Sequence, residues 1–214
     1  AEPEPTVSTL PDGSVDRYCR LSAGALDPVK RRTTFAREAR VGGRKAFALD
    51  PDWIEPGGQS VNIADQAHAL GGDVTCYGHL DDEVFEDLPF DTVSMGEPAI
   101  VNVLDFDDED LLLVEHSPDI ATWTLDTLRD AASLPDVFDV DAVACSNWVS
   151  VRNIADAFHE LARLELPRRP FVFDPGDVVG SDLESHRAFR AAVSALQATF
   201  DVVVSVNRAE LHSL

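Results

Sequence analysis

Apolar and polar positions follow two different rhythms along this chain. From Asp141 onward, short apolar runs take turns with helical stripes. Ala142-Val143-Ala144-Cys145 reads as a buried strand, and the helix after it carries Ile154, Phe158 and Leu161. Phe171-Val172-Phe173 is the next strand, ending at Asp174-Pro175-Gly176. A helix follows with Phe189, Val193, Leu196 and Phe200, and then the strand Val202–Val206. Strands alternating with helices predict a mainly parallel sheet flanked by helices, an α/β fold, with ligands expected beyond the C-terminal strand ends. Asn147, Asp174 and Asn207 each follow a strand there.

The first half is less regular. Thr6–Leu10 reads as a short strand, followed by the turn-rich PDGSVD. TTFAREARV up to Val41, a Gly42-Gly43 turn and KAFAL together predict a hairpin. A helix after Gly57-Gly58 places Ile63, Ala67 and Leu70 on one stripe, with Gly71 closing it. Val74–Tyr77 reads as a strand ending at Gly78. Residues 93–115 predict a second hairpin, with IVNVLDF and LLLVE as its arms and Asp107–Asp110 as its tip. Trp123–Leu134 predicts a helix. The expected organisation is one domain over 1–214, with strands near 33–50 and 93–115 folding over the site as a lid.

Composition narrows the setting. The chain has 214 residues, 44% of them hydrophobic, which is enough for one core. Net charge is −22, and residues 73–147 hold twenty carboxylates against Arg129 alone. Two lysines stand beside fifteen arginines, and Asp outnumbers Glu two to one. Short carboxylates with little lysine suit a protein kept soluble in concentrated salt, so halophilic adaptation is the favoured reading. An acidic nucleic-acid mimic and a docking face for a basic partner are the alternatives. No basic stripe exists to neutralise phosphates, so nucleic acid is not the expected partner. No apolar run approaches the roughly 18 residues of a membrane helix, and AEPEPT carries no signal-peptide pattern. Cys19, Cys76 and Cys145 form no CxxC pair, which points to a reduced, cytoplasmic setting.

The chemistry is concentrated in PGGQSVNIADQAHALGG, Pro56–Gly72. Two glycines let a ligand approach bare backbone, and the helix start offers N–H donors and the Asn62 amide. That suits an uncharged, hydroxyl-rich ligand such as a sugar. Near the start, Asp12-Gly13-Ser14-Val15-Asp16 puts carboxylates where a strand ends, and a carboxylate can accept from two hydroxyls. Near the end, Asn207-Arg208-Ala209-Glu210 sets an amide and a carboxylate one helical turn apart. Such a pair can share a hydrated Mg²⁺, or simply start a helix as a capping box.

In this order, Gly-Gly-x-x-x-Asn, a strand ending in Asp174-Pro175, and Asn-x-x-Glu, the chain resembles PfkB/ribokinase-family carbohydrate kinases. Tyr77-Gly78-His79-Leu80-Asp81-Asp82 matches a further family stretch but lacks its second glycine. The resemblance implies a ribokinase-like fold and transfer of the ATP γ-phosphoryl group to a sugar hydroxyl with Mg²⁺. It implies that Asp16, Gly57, Gly58 and Asn62 hold the sugar, with Asp12 the other candidate carboxylate at the first turn. Asn207 and Glu210 would organise the metal end, and lid strands would pair between subunits in a homodimer. The family's late Gly-x-Gly-Asp turn, which supplies the base and the anion hole, has no counterpart here. Gly71-Gly72-Asp73 ends a helix and so offers phosphate the wrong dipole end, while Pro175-Gly176-Asp177 lacks the first glycine. The resemblance therefore leaves two readings: a sugar kinase whose nucleotide-binding part lies beyond this sequence, or an inactive relic that senses a sugar or nucleoside.

Other chemistries find no footing. No P-loop, GxSxG, HExxH or GxGxxG is present. Asp105–Asp110 lacks the EF-hand glycine and its twelfth-position Glu, so a solvated hairpin tip is expected. Cys145, Trp123 and Trp148 are expected in the core.

Overall fold

The chain runs β1 (Thr6–Leu10), β2 (Ser14–Ser22), α1 (Arg32–Arg40), β3 (Ala48–Gly57), α2 (Gln59–Ala69), β4 (Asp73–Gly78), β5 (Asp91–Ser94), β6 (Ala99–Leu104), β7 (Leu111–Glu115), α3 (Pro118–Thr122), α4 (Leu125–Ala131), α5 (Leu134–Phe138), β8 (Ala142–Ser146), α6 (Ile154–Leu161), β9 (Pro170–Asp174), α7 (Leu183–Leu196), β10 (Asp201–Val204) and α8 (Arg208–Ser213). This is a computed structural model, and it describes residues 3–22, 29–40 and 46–214. Two sheets result. The main one has six parallel strands in the order β10-β9-β8-β1-β4-β5. The second has four strands in the order β3-β2-β6-β7, with β2 parallel to β6 and its other pairs antiparallel. The α/β fold with helices around a parallel sheet is as the alternating pattern predicts.

The centre of the main sheet is covered on both faces. On one side Phe158, Phe171, Phe173, Phe189 and Phe200 pack edge-on, tilted or stacked around β8 and β9, with Leu10, Val143 and Cys145 beneath them. Each such side chain contributes about 1.5–3 kcal/mol by leaving water. On the other side α2 lays Val61 and Ala64 against Val74, Cys76 and Leu80. The small sheet has a separate core of Cys19, Leu21, Leu104 and Phe106, closed by Phe35 of α1 with Phe47 and Leu111.

Several expectations change. Residues 32–40 form a helix, not a strand. The β-branched pair Thr33-Thr34 suggests extension, but Ala36, Arg37, Glu38, Ala39 and Arg40 favour helix and place arginines in its last turn. Phe35 then packs at 5.1 Å on Phe47 and 6.1 Å on Phe106. The Gly42-Gly43 turn lies outside the described residues. The strands of the small sheet before α2 are β2 and β3, and β2 begins at Ser14, inside the stretch read as a polar turn. The hairpin at 99–115 forms as expected, whereas Asp91–Ser94 joins the main sheet beside β4. The helix expected over 123–134 is the shorter α4, with α3 just before it and α5 just after, and each of the three is opened by a hydroxyl cap from Ser117, Thr124 or Ser133. On α2 the buried residues are Ser60, Val61 and Ala64, while Leu70 is 89% exposed. Gly71 follows at φ 90° and closes the helix.

Candidate functional site

β1 and β8 end where the small sheet begins, and a cavity of about 420 Å³ lies there. Its floor comes from the crossing into β2 (Asp12, Gly13, Ser14), the start of α2 (Gly58, Gln59) and the turns after β8 and β9 (Asn147, Ser150, Gly176, Asp177). Its ceiling is apolar: Ala99 and Val101 on β6 and Leu112 and Val114 on β7, with His116 at the rim. A polar floor under an apolar lid can order the hydroxyls of a small polyol while excluding water.

The glycine pair works as backbone geometry. Gly58 takes φ 97°, and a Cβ on it would sit 2.7 Å from Gly13 Cα, so two lid crossings pack back to back. A Cβ on Gly57 would lie within 2.5 Å of the Asp16 carboxyl. Gly57 thus leaves the space that Asp16 fills. Asp16 stands on β2 two positions from Ser14, and Ser14 Oγ donates to its Oδ1 at 2.6 Å. Burial pushes the Asp16 carboxyl up; the Ser14 hydrogen bond opposes this, and Glu55 and Asp12 add to it. Asp16 therefore borders the cavity through Ser14 and is not part of its lining.

Asp12 is 3% exposed and held from all sides. Its Oδ1 accepts from Ser60 N at 2.8 Å, Ser60 Oγ at 2.6 Å and Ser146 Oγ at 2.8 Å. Its Oδ2 accepts from Gln59 N at 3.2 Å and Asn147 Nδ2 at 3.0 Å. Gln59 in turn donates through Nε2 to Asp174 Oδ1 at 3.0 Å, joining the α2 start to the end of β9. Asn147 holds a left-handed φ of 68° and bonds Asp174 O through its own N–H at 2.9 Å.

Asn62 is not brought to the cavity. It is exposed on α2, and its N–H closes the first helical bond to Gly58 O at 3.0 Å. Asn207 and Glu210 are also elsewhere, just past β10 at the sheet edge. Three strand spacings, roughly 14 Å, separate β10 from β1. There they form a reciprocal capping box: Glu210 accepts from Asn207 N and Nδ2, and Asn207 Oδ1 accepts from Ala209 N and Glu210 N. Both carboxylate oxygens are engaged, and no group of three or more His, Cys, Asp or Glu among the described residues could hold a metal ion.

Against known proteins, a model of the prokaryotic ketohexokinase family matches residues 26–214. The chain belongs to that family. It is 28% identical over 232 aligned positions to a ketohexokinase from Haloferax volcanii, covering 95% of this chain and 60% of that protein. The chain thus spans about 60% of the length of the curated relative it matches. Its fold is similar to that of ribokinase from Giardia lamblia (TM-score 0.55, 12% identity, covering 96% of this chain and 75% of that one). It is also similar to a Methanocaldococcus jannaschii nucleoside kinase of the ribokinase family (TM-score 0.52, 10% identity, 94% and 71%). At such identities the likeness shows the ribokinase-like fold alone.

In this ketohexokinase-family chain, sequence reasoning reached the glycine pair, Asp12, Asp16 and the strand-end positions Asn147 and Asp174. It passed over Ser14, Gln59, Ser60 and Ser146. Gln59 and Ser60 were legible as the first two positions of a helix whose glycine cap has no side chain. Ser146 and the rim residue His116 carry no local signal. Trp123 and Cys145 are buried, as expected, at 1% each, and burial pushes the Cys145 thiol well above its ordinary range.

Proposed function

We propose that this chain supplies the sugar-binding part of a carbohydrate kinase that transfers the ATP γ-phosphoryl group to a hydroxyl of a ketohexose-like sugar. The observation that carries this reading is the 420 Å³ cavity between the glycine-pair turn and the lid, in a chain of the ketohexokinase family. Ser14 accepts a sugar hydroxyl at the β2 end, with Asp16 orienting the Ser14 hydroxyl from behind, and the Gly57-Gly58 turn lets the sugar lie close to backbone. Asn62 contributes no contact in this arrangement. ATP and Mg²⁺ enter as the family's co-substrate and metal; the residues described here assign no base, anion hole or metal ligand.

The setting follows from the same reading. We infer a cytoplasmic protein adapted to concentrated salt, because the −22 charge is concentrated between residues 73 and 147. No helix among the described residues is long and apolar enough to cross a membrane. The exposed apolar residues Trp53, Ile54, Leu112, Leu113 and Val114 of the lid favour pairing with the lid of a second copy.

Calorimetric titration with D-fructose tests the sugar reading. We expect saturable binding near Kd ~1 mM, weakened at least about tenfold, or 1.4 kcal/mol, by Asp16→Asn. Because Asp16 is buried at an energetic cost, the same variant should melt no lower than wild type at pH 7. No saturable heat with any ketohexose would refute the assignment. Sugar-dependent ADP formation separates a kinase from an inactive sensor. A chain fully folded in dilute buffer would count against salt adaptation.

A further inference from the structure

α2 is an eleven-residue helix that starts without a side-chain cap of its own, since Gly58 occupies its N-cap. A helix start presents unpaired N–H groups and the positive end of the dipole, which attract anions. Here the first two N–H groups, of Gln59 and Ser60, are already taken by the Asp12 carboxylate. That carboxylate reaches them from the end of β1, and the same two oxygens accept Ser146 Oγ and Asn147 Nδ2 from the end of β8. Five donors from two segments, the α2 start and the β8 end, thus converge on one buried group. A sugar hydroxyl could bond to it only by displacing one of them.

We propose that Asp12 is the built-in anion of the site. It is a positioning residue that fills the α2 N-terminus, joins the floor segments, and makes the cavity choose an uncharged sugar over that sugar's phosphate ester. The selectivity rests on the sugar reading of the cavity given above. Among the described residues, the charged side chains of the lining are Asp12 and Asp177, with His116 at the rim and neither lysine nor arginine. An entering phosphate would meet two carboxylates and a helix start with no free donor at its first two positions. That is rejection by like charge and by occupied donors.

Asp12→Ala and Asp12→Asn test this. The alanine variant leaves a formate-sized hole next to two bare N–H groups. Its melting temperature should rise by several degrees in sodium formate relative to sodium chloride at equal ionic strength, while wild type shows no such difference. An equal response in the two proteins would overturn the proposal. If the alanine variant does not fold, the isosteric Asp12→Asn decides: the Gln59 and Ser60 amide proton resonances should move upfield, and unmoved resonances would overturn it. For selectivity, wild type should prefer D-fructose to its 6-phosphate by at least about 100-fold, and Asp12→Asn should narrow that ratio. A ratio left unchanged would remove the selectivity role. Should wild type bind neither compound, the sugar reading fails, and the formate response still decides the positioning role.

Discussion

The two sheets of this molecule are both apolar, yet they place their apolar residues differently. In the main sheet, β8 and β9 carry Val143, Cys145, Phe171 and Phe173 at 1% exposure or less, and helices cover both faces. In the lid, only the far end of β2 and β6 is closed by its own small core, with α1 laid over it. Its outer strands stay open: Trp53 and Ile54 on β3 are 47% and 53% exposed, and Leu112 on β7 is 56% exposed. One sheet is finished by its own chain. The other keeps an apolar face available above a polar cavity. The lesson is that burial separates the part that holds the fold from the part that meets a ligand or a second surface.

Substitutions can break or sharpen this contrast, and the largest effect belongs to the main sheet. Phe171→Ala removes a fully buried ring lying 5.6 Å from Phe158 and 5.1 Å from Phe200. It should cost about 3–5 kcal/mol in denaturant unfolding. Gly58→Ala comes next, because it forces a side chain into a left-handed backbone and onto Gly13. It should cost about 1–3 kcal/mol and abolish sugar binding by calorimetry, since it spreads the two crossings into the lid.

The third effect depends on pH. His79 sits at the end of β4, fully buried, with Nδ1 2.7 Å from Pro11 O. Burial lowers its pKa, against the opposing pull of the Pro11 carbonyl and of Asp119, Asp12 and Asp81. A histidine with a depressed folded pKa binds its proton more readily when unfolded. Stability is therefore full above about pH 6.5 and declines as pH falls below it. Melting temperature recorded from pH 7 down to pH 5 should fall for wild type and fall less steeply for His79→Asn. Parallel curves would contradict this account of His79.

The smallest effect belongs to the lid. Trp53 stacks on Tyr18 at 4.4 Å but remains half exposed. Trp53→Ala should shift unfolding by no more than about 1 kcal/mol. A loss comparable to that of Phe171→Ala would mean that the lid is structurally inseparable from the main sheet, and the contrast would collapse.

Legibility in the sequence followed the same division. Strands of the main sheet carry short apolar or β-branched runs between turn residues, so β1, β4, β8, β9 and β10 could be read within a residue or two. Lid strands carry mixed faces. Pro11–Asp16 reads as a polar turn, and its Ser14–Asp16 end becomes strand only when β3 and β6 are present to bond it. Residues 33–40 mislead in the opposite sense, since their threonines suggest a strand while their tertiary contact is a single phenylalanine face. At the site, the glycine pair was readable because positive φ and close backbone approach leave few alternatives to glycine. The pairing of Asp12 with Ser60, Ser146 and Asn147 was not, because its partners lie up to 135 residues away.

By itself, the sequence determined the parallel α/β layer, the strand–helix alternation from β8 onward, the glycine turn before α2, and the uneven charge. These depend on local periodicity, backbone permissiveness and composition, all of which act over short stretches of chain. Only the tertiary structure decided which candidate side chains meet. It turned Asp12 inward to the α2 helix start, set Asp16 beside Ser14 under Gly57, left Asn62 in solvent, and committed Asn207 and Glu210 to a helix cap. Hydrogen-bond donors find their acceptors through space, and a sequence does not record which strand ends become neighbours.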